Sequence, residues 1–336
     1  MKLHQLQNTM KQKGIDACLF FNTSLSKTDP SLQYFSDISL EYGMTCITPK
    51  DAWLCVPLME MERAKASPLR EKRIKEKLFE QLPAARTIGL NTCAVSLFER
   101  GRLRKATKAR FVDVSRIVEK LRMTKTEAEL SRIRKACKIT DTIYARLFDK
   151  RYQTEGQLKA RIIKEIYEAG CTPSFEPIVA SGSHAGLPHY DGSTALRNGT
   201  VIIDFGVRYK GYCSDMTRTC YHGNVSAQVK KLHTKICTLL QDSLSQMKPG
   251  ERASTQAERV KKQLGKPFLH SLGHGIGVEV HESPRLAPKS KDVLEKNMVL
   301  AVEPGYYTKN FGIRVEDDLV VGGKRLTFSP WEMVKI

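Results

Sequence analysis

The chain has 336 residues, 41% of them hydrophobic, and this length favours two domains over one compact core. Its formal net charge is +19. We find neither a secretion signal nor an apolar stretch long enough to cross a membrane, so we expect no membrane contact. Its nine scattered cysteines lack the spacing of a metal site or a disulfide framework, which predicts reduced thiols and a cytoplasmic location.

Basic residues are concentrated in two runs, at 70–77 and 102–110. Such runs can contact the phosphate backbone of a nucleic acid. Neither run contains interleaved aromatic residues, and both are predicted to lie in helices, where charged residues usually form the solvated face. The basic charge therefore favours a solvated surface over a nucleic-acid partner.

Residues 1–122 are predicted to form a small α/β domain. The apolar runs at 17–21, 44–48 and 52–58 are typical of strands, and polar helical segments alternate with them. None of the stretches in residues 1–122 brings acids, histidines or a glycine-rich loop together. We therefore expect this domain to have a structural or substrate-shaping role.

A second domain is predicted at 123–336, beginning with a helix. Thr124 and Glu127 match a capping box. Apolar residues follow at helical spacing, namely Leu130, Ile133, Cys137, Ile143 and Leu147. Further helices are predicted at 155–169 and 227–247, each closed by a glycine-containing turn, and the other segments of this domain are β-rich.

Two aspartates lie in a predicted β-hairpin of this second domain. Asp204 interrupts an apolar strand at 201–207, and Asp215 lies in the next strand-like run, at 212–221. A turn centred between Tyr209 and Lys210 would place the two acids directly opposite each other, with Cβ atoms about 4.5 to 5.5 Å apart.

A second predicted hairpin, near the C-terminus, repeats this arrangement. A turn centred between Lys309 and Asn310 would place Glu303 opposite Glu316. A single acid in a strand would more often face solvent. Two facing pairs of acids do not fit that explanation. Like charges opposite each other destabilise a sheet, and acids in apolar strands cost free energy unless they are neutralised. The two pairs therefore predict a cationic occupant.

Three histidines lie among glycines in the segment 270–284, namely His270, His274 and His281. Glycine at such positions indicates that the backbone closely approaches another group. Four carboxylates and one imidazole suit two divalent cations, since carboxylates can bridge metals about 3.5 to 4 Å apart. Oxygen-rich ligation with a single nitrogen favours manganese, cobalt or iron over a thiolate zinc site.

Taken together, these motifs resemble the proline-specific metallopeptidases, the prolidase and Xaa-Pro aminopeptidase group of the methionine-aminopeptidase-like superfamily. The resemblance is carried by HSLGHGIGVEVHESP at 270–284 and, in the family's order, by IVASGSHAGLPHY, VIIDFG, SDMTRT, VEPG and GIRVEDD. It implies an α/β (α+β) fold class, in which a "pita-bread" catalytic domain at 123–336 follows a smaller creatinase-like α/β domain at 1–122.

The resemblance also implies a site. His189, His281 and Glu303 would act in catalysis, the two histidines lining the substrate pocket. The position of Arg314, two residues before Glu316, predicts that it orients that carboxylate from behind, with a surface salt bridge as the alternative. Two divalent metal ions per chain are implied, manganese or cobalt before iron or zinc, together with a homodimer. The implied metal ligands are Asp204, Asp215, His274, Glu303 and Glu316, with Asp215 and Glu316 bridging.

The implied reaction is hydrolysis of the peptide bond before proline, in Xaa-Pro dipeptides or at the N-terminus of short peptides, by a hydroxide that bridges the two cations. Glu303 would relay a proton. His281 would stabilise the oxyanion. His189 would bind the peptide on the proline side or assist proton transfer.

Several related activities compete with this interpretation. The N-terminal domain and the LPHY motif around His189 disfavour a methionine aminopeptidase. The five ligand positions disfavour both a creatinase-like hydrolase and a metal-independent binding module for RNA or protein. The motifs leave dipeptidase and aminopeptidase open, although a chain without long insertions leans toward the dipeptidase.

Overall fold

The computed structural model describes residues 2–23 and 28–336. The chain divides into two compact units, 1–122 and 123–336. The described part of the first unit contains helices α1 (Lys2–Lys13), α2 (Pro30–Ser36), α3 (Met61–Ala64), α4 (Leu97–Ala106) and α5 (Ser115–Met123), the last ending at the boundary. Its strands are β1 (Ala17–Thr23), β2 (Tyr42–Ile47), β3 (Ala52–Val56), β4 (Arg70–Arg73), β5 (Thr87–Leu90) and β6 (Arg110–Asp113).

The first unit is built on one mixed sheet with strand order β4-β3-β2-β1-β5-β6. Strand β1 is buried along its whole length, because Phe20 packs into the core on one face and Leu19 into the core on the other. Alternating side chains of a strand point to opposite faces, so a strand covered on both sides is apolar throughout. The strands predicted around 17–21, 44–48 and 52–58 are confirmed.

The helix predicted for the basic run at 70–77 is wrong. Arg70–Arg73 forms the edge strand β4, which pairs in parallel with β3. Charged side chains protect an exposed sheet edge from pairing with another chain, and here Lys72 also lies 3.8 Å from the centre of the Trp53 ring. In the second basic run, only the beginning lies in a helix, since α4 ends at Ala106 and Arg110 begins strand β6.

The second unit contains four longer helices and several short strands. Its helices are α6 (Glu127–Ala145), α7 (Glu155–Glu168), α8 (Ala227–Gln246) and α9 (Ala253–Leu264). Its strands are β7 (Thr172–Pro173), β8 (Ile178–Ser181), β9 (Gly199–Phe205), β10 (Val207–Tyr209), β11 (Tyr212–Cys213), β12 (Met216–His222), β13 (Gly273–Gly275), β14 (Glu282–Leu286), β15 (Val299–Val302), β16 (Gly305–Tyr307), β17 (Gly312–Arg314) and β18 (Asp317–Val320).

The three helices predicted for this unit are confirmed, with one correction at the start of α6. The capping box is formed by Thr126 and Glu129, two residues later than predicted. The segment TKTEAE contains two overlapping capping-box patterns, and Thr124 instead forms an extended bridge with Met298. The five predicted apolar positions of this segment are buried.

Two interrupted hairpins dominate the second unit. In the first hairpin, β9–β12, the ladder breaks at Gly206 on one side and at Ser214-Asp215 on the other. In the second hairpin, β15–β18, it breaks at Glu303-Pro304 and at Val315-Glu316. Each hairpin therefore presents at least one acid where the strands part.

No helix within residues 2–23 and 28–336 is both long and apolar enough to span a membrane. All nine cysteines are free thiols, as predicted, and Cys93 alone among them is exposed.

Candidate metal centre

The register predicted for the second hairpin is confirmed. Val302 pairs with Asp317 on one side of the interruption, and Gly305 pairs with Arg314 on the other. Both pairs fit a four-residue turn at 308–311. Glu303 and Glu316 therefore occupy opposite positions in the gap between the two short ladders.

The register predicted for the first hairpin is wrong. Tyr209 pairs with Tyr212 around a two-residue turn in which Lys210 and Gly211 have φ angles of 45° and 83°. Such a turn matches the right-handed twist of the flanking strands. It lies one residue later than expected, so Asp204 faces Thr217 instead of Asp215. By register the two aspartates are diagonal neighbours on one face of the hairpin.

His274 is placed between two neighbouring strands by the glycines on either side of it. It lies in the middle of β13, whose partners are β14 and β15. A Cβ atom on Gly273 would lie 1.9 Å from the carbonyl oxygen of Ala301, and one on Gly275 would lie 2.2 Å from that of Ser283. Only glycine permits this close approach, which confirms the reason predicted for glycine in this segment.

The acids and the imidazole converge at the two interruptions. One ligand atom from each of Asp215, His274 and Glu316 lies within 4.8 Å of the other two. The Nε2 atom of His274 is 3.7 Å from Asp215 Oδ2 and 3.9 Å from Glu303 Oε1. The structure thus brings together four of the five residues expected as ligands through direct distances, and Asp204 joins them through the contacts described next.

Each hairpin donates a hydrogen bond to an acid of the other hairpin. Arg314, from the second hairpin, donates a hydrogen bond of 2.5 Å to Asp204 Oδ2 in the first. Thr217, from the first hairpin, donates one of 2.6 Å to Glu316 Oε2 in the second. Arg314 Nε also donates to Thr217 Oγ1, at 3.1 Å. The direct carboxylate partner of Arg314 is therefore Asp204, and it reaches Glu316, the partner expected from the sequence, only through Thr217.

Burial makes this group of acids electrostatically unfavourable by itself. Burial and the neighbouring carboxylates raise the pKa of Asp215 and Glu316 well above the usual range. Burial raises the pKa of Glu303 to about 8, an effect that the positive charge of Arg314 opposes. Within the described residues, Asp204 Oδ1 and Asp215 Oδ1 are buried without a hydrogen-bond partner. Buried acids with unpaired oxygens call for a cation.

The imidazole of His274 has one ring nitrogen free and directed at the acids. Its Nδ1 lies 3.1 Å from the carbonyl oxygen of Gly275 and can donate to it, which leaves the lone pair of Nε2 directed at the acids. Burial, reinforced by the nearby His281, lowers the pKa of His274 to about 3. The ring is therefore neutral near pH 7, the form that binds metals. Together with the unpaired carboxylate oxygens, this donor set fits divalent cations.

A hydrogen-bonded chain behind the acids involves two residues to which the sequence gave no role. Tyr307 accepts a hydrogen bond from Arg314 Nη1 at 2.9 Å and lies 2.8 Å from His270 Nε2. His270 Nδ1 lies 3.6 Å from Glu303 Oε2. Thr217 was also missed, although the correct register would have revealed it as the residue opposite Asp204.

The two histidines expected in the substrate pocket are both exposed. The His281 ring is edge-on to the His274 ring, with centroids 4.4 Å apart, so it lies beside the acids. His189 lies on a turn just after the short 3-10 helix Gly182–Gly186. Burial lowers the pKa of both His270 and His281, and His189 adds to the effect, which indicates that it is near them.

Comparison with known families gives two matches along the chain. Residues 131–322 match the model of metallopeptidase family M24, and residues 2–124 match that of the creatinase/prolidase N-terminal domain. The first match includes every residue assigned above to the site.

Individual relatives match over nearly the whole length. An Xaa-Pro dipeptidase of Pyrococcus horikoshii is 29% identical over 99% of this chain and 98% of its own length. Among solved structures, an Xaa-Pro dipeptidase from Bacillus anthracis has a TM-score of 0.92 at 28% identity, covering 100% of this chain and 99% of its own. An X-Pro aminopeptidase from Thermotoga maritima has a TM-score of 0.88 at 29% identity, covering 98% of this chain and 100% of its own.

Proposed function

The chain belongs to metallopeptidase family M24 and is a metal-dependent peptidase, and from this premise we propose that it hydrolyses the peptide bond before proline in Xaa-Pro dipeptides. The fold class expected from the motifs, a pita-bread catalytic domain after a creatinase-like domain, is confirmed by the same matches. The observation that carries the proposal is the convergence of buried acids and one neutral imidazole at the interruptions of two hairpins.

We infer that these residues hold two divalent cations. Four carboxylates carry four negative charges, of which Arg314 offsets one through its contact with Asp204. Two divalent cations together with one hydroxide ion would balance the remaining three charges, whereas a single divalent cation would leave one negative charge unbalanced. Oxygen donors with a single nitrogen support manganese or cobalt, with iron or zinc as further candidates. The proposed ligands are Asp204, Asp215, His274, Glu303 and Glu316.

When bound by these residues, the cations would polarise the scissile carbonyl and would lower the pKa of a water molecule so that it supplies hydroxide near neutral pH. The chain's own residues would accept the proton and bind the substrate. The side chain of Glu303 is 17% exposed, against 6% for that of Asp215, so it is the more accessible of the two to accept a proton. His281, exposed beside His274, can donate to the oxygen on which negative charge develops.

His189 and Arg314 have supporting roles in this proposal. His189, on its exposed turn, would bind the proline side of the peptide. Arg314 would fix the orientation of Asp204, since its guanidinium also bonds Thr217 and Tyr307. A carboxylate held in one orientation presents its free oxygen to a cation without further ordering.

A second candidate substrate is a longer peptide with Xaa-Pro at its N-terminus. The likeness to an X-Pro aminopeptidase over the whole chain supports it. Xaa-Pro dipeptides and Xaa-Pro-Xaa tripeptides, tested side by side on manganese-loaded protein, decide between the two. Faster cleavage of the dipeptide is expected, and cleavage of the tripeptide alone would favour the aminopeptidase.

Three further proposals accompany the activity. We propose a homodimer, which light scattering of the purified protein tests. We propose a cytoplasmic location, supported by nine free thiols. We also propose that no nucleic acid takes part. Residues 70–73 of the first basic run form an edge strand and not a helix face that could enter a groove, and the second run leaves helix α4 after Ala106 and reaches strand β6 at Arg110.

The metal-independent binding module is the competing function. It would leave the buried acids of both hairpins uncompensated, which the unpaired oxygens of Asp204 and Asp215 in the described structure disfavour. Hydrolysis of a dipeptide such as Ala-Pro, its loss with a chelator and its recovery on adding manganese test the proposed activity. Tight RNA binding without any peptide cleavage by metal-loaded protein would support the module instead.

A further inference from the structure

A buried carboxylate outside the metal centre organises the loop that carries His189. Glu155, the first residue of α7, is fully buried. Its Oε1 accepts hydrogen bonds from the backbone N–H and the hydroxyl of Ser181, at 2.8 and 2.7 Å, and lies 3.1 Å from His184 Nδ1. Its Oε2 accepts from the hydroxyls of Tyr190, at 3.0 Å, and Thr194, at 3.3 Å.

These partners lie at both ends and in the middle of one segment, residues 182–194, which we call the His189 loop. Ser181 directly precedes the loop and Thr194 ends it, and the backbone N–H of Glu155 also donates to the carbonyl oxygen of Thr194. Inside the loop, the rings of His184 and Tyr190 stack with centroids 4.2 Å apart. One side chain thus closes the base of the loop while His189 lies exposed at its tip.

The other side of the His189 loop is pressed against the second hairpin. A Cβ atom on Gly186 would lie 2.0 Å from the carbonyl oxygen of Thr308, and one on Gly312 would lie 1.8 Å from that of Ala185. Arg314 Nη1 lies 3.4 Å from the carbonyl oxygen of Pro188. The tip therefore rests beside the proposed metal centre, and Glu155 and the second hairpin hold the loop from two sides.

We propose that Glu155 is a positioning residue for the peptidase reaction, which it serves by holding the His189 loop in the conformation that directs His189 at the substrate. This inference rests on the proposed function, because His189 contacts the substrate only in that proposal. Glu155 itself touches neither the substrate nor a metal ligand.

The charge of Glu155 is suited to this role. Burial by itself would raise the pKa of its carboxyl, but the hydrogen bonds from Ser181, His184 and Tyr190 hold the pKa below the usual value. The group is therefore ionised near pH 7, and hydrogen bonds to an ionised acceptor are stronger than those to a neutral one. A loop held by several such bonds loses little further conformational entropy when a substrate binds.

A double-mutant cycle with His189 tests the proposal. Glu155→Ala should lower kcat/KM for Ala-Pro about thirtyfold in the natural background but less than about twofold when His189→Ala is already present. Metal content should equal that of the natural protein. Equal losses in both backgrounds would overturn the proposal, because Glu155 would then act by another route.

Glu165 supplies the matched control. It is a buried carboxylate on the same helix, but its partners are Arg146 and Arg161, away from the His189 loop. Glu165→Ala should therefore change kcat/KM less than about twofold in either background. Glu155→Gln, which keeps one acceptor oxygen, should fall between Glu155→Ala and the natural protein, and it serves in place of Glu155→Ala if that variant does not fold.

Hydrogen exchange separates this proposal from the proposed activity, since it needs no substrate. Glu155→Gln should exchange amide protons in 182–194 at least about tenfold faster than the natural protein, whereas Glu165→Ala should not. Unchanged exchange in Glu155→Gln would overturn the positioning role even in an active enzyme. If the natural protein cleaves no Xaa-Pro peptide, the proposed function fails, and the exchange result still decides whether Glu155 holds the loop.

Discussion

The first and second hairpins of the catalytic unit each carry two acids and each break their ladder at one point, yet they differ in turn and register. The second hairpin closes through a four-residue turn, and its acids, Glu303 and Glu316, are opposite each other. The first closes through Lys210-Gly211, and its acids are diagonal. A pair of acids can therefore reach the proposed metal site from either arrangement, provided that the ladder opens beside them.

The comparison also shows that neither hairpin completes its half of the site alone. Arg314 of the second hairpin holds Asp204 of the first, and Thr217 of the first holds Glu316 of the second. In addition, the backbone N–H of Asp215 donates to Asp318 Oδ2 at 2.9 Å. These reciprocal contacts explain how two short, interrupted ladders can keep several like charges in place.

The largest effect is expected from removing one proposed bridging acid in each hairpin. Asp215→Asn and Glu316→Gln should each lower kcat for Ala-Pro by more than about a thousandfold, because each removes a charged donor for the metal ions. Asp242→Asn, in an exposed ion pair on α8, should leave kcat unchanged. Substantial activity in Asp215→Asn or Glu316→Gln would mean that the acid from that hairpin is not needed for hydrolysis. It would contradict the view that both hairpins contribute to the site.

A smaller loss is expected from breaking the contacts between the hairpins. Thr217→Val and Arg314→Lys should each weaken metal affinity by about 10- to 100-fold, since Thr217 and Arg314 each orient a proposed ligand without contributing a donor atom. Titration of the apoprotein with manganese measures this. Thr200→Val is the control. Thr200 lies on the first hairpin, as Thr217 does, and its buried hydroxyl has no hydrogen-bond partner among the described residues. If only one of Thr217→Val and Arg314→Lys weakens metal affinity, only one hairpin holds an acid of the other in place.

The smallest effect concerns the two turns. Gly211→Ala should lower the free energy of unfolding by about 1 to 2 kcal/mol, because a residue with a Cβ atom is strained at a φ of 83°. Asn310→Ala, on the exposed turn of the second hairpin, should change it by less than about 0.5 kcal/mol. Urea denaturation of both variants gives the values. Equal values would show that the turns do not differ as described.

Much of the fold could be predicted because it depends on local patterns. Alternation and apolar runs placed β1, β2 and β3, and cap and glycine signals placed α7 and α8 close to their bounds. The register of the second hairpin was also predictable, since its turn is symmetric between Lys309 and Asn310. These features need only neighbouring residues in the sequence.

The remaining features depend on rare backbone conformations or on distant contacts. Lys210 adopts a positive φ, which non-glycine residues seldom do, so the sequence suggested a turn one residue too early. The partners of Arg314 and Thr217 come from the opposite hairpin, about a hundred residues away. The role of Glu155 likewise becomes visible only when β8, the His189 loop and α7 are folded together.

Metal content measured together with activity tests the central claim most directly. Purified protein loaded with manganese and dialysed should retain about two ions per chain, as the four carboxylates of the two hairpins and the imidazole of His274 require. Chelation should remove the ions and the hydrolysis of Ala-Pro together, and manganese should restore both. A chain that cleaves Ala-Pro at full rate with no bound metal, or with at most one ion, would contradict the account.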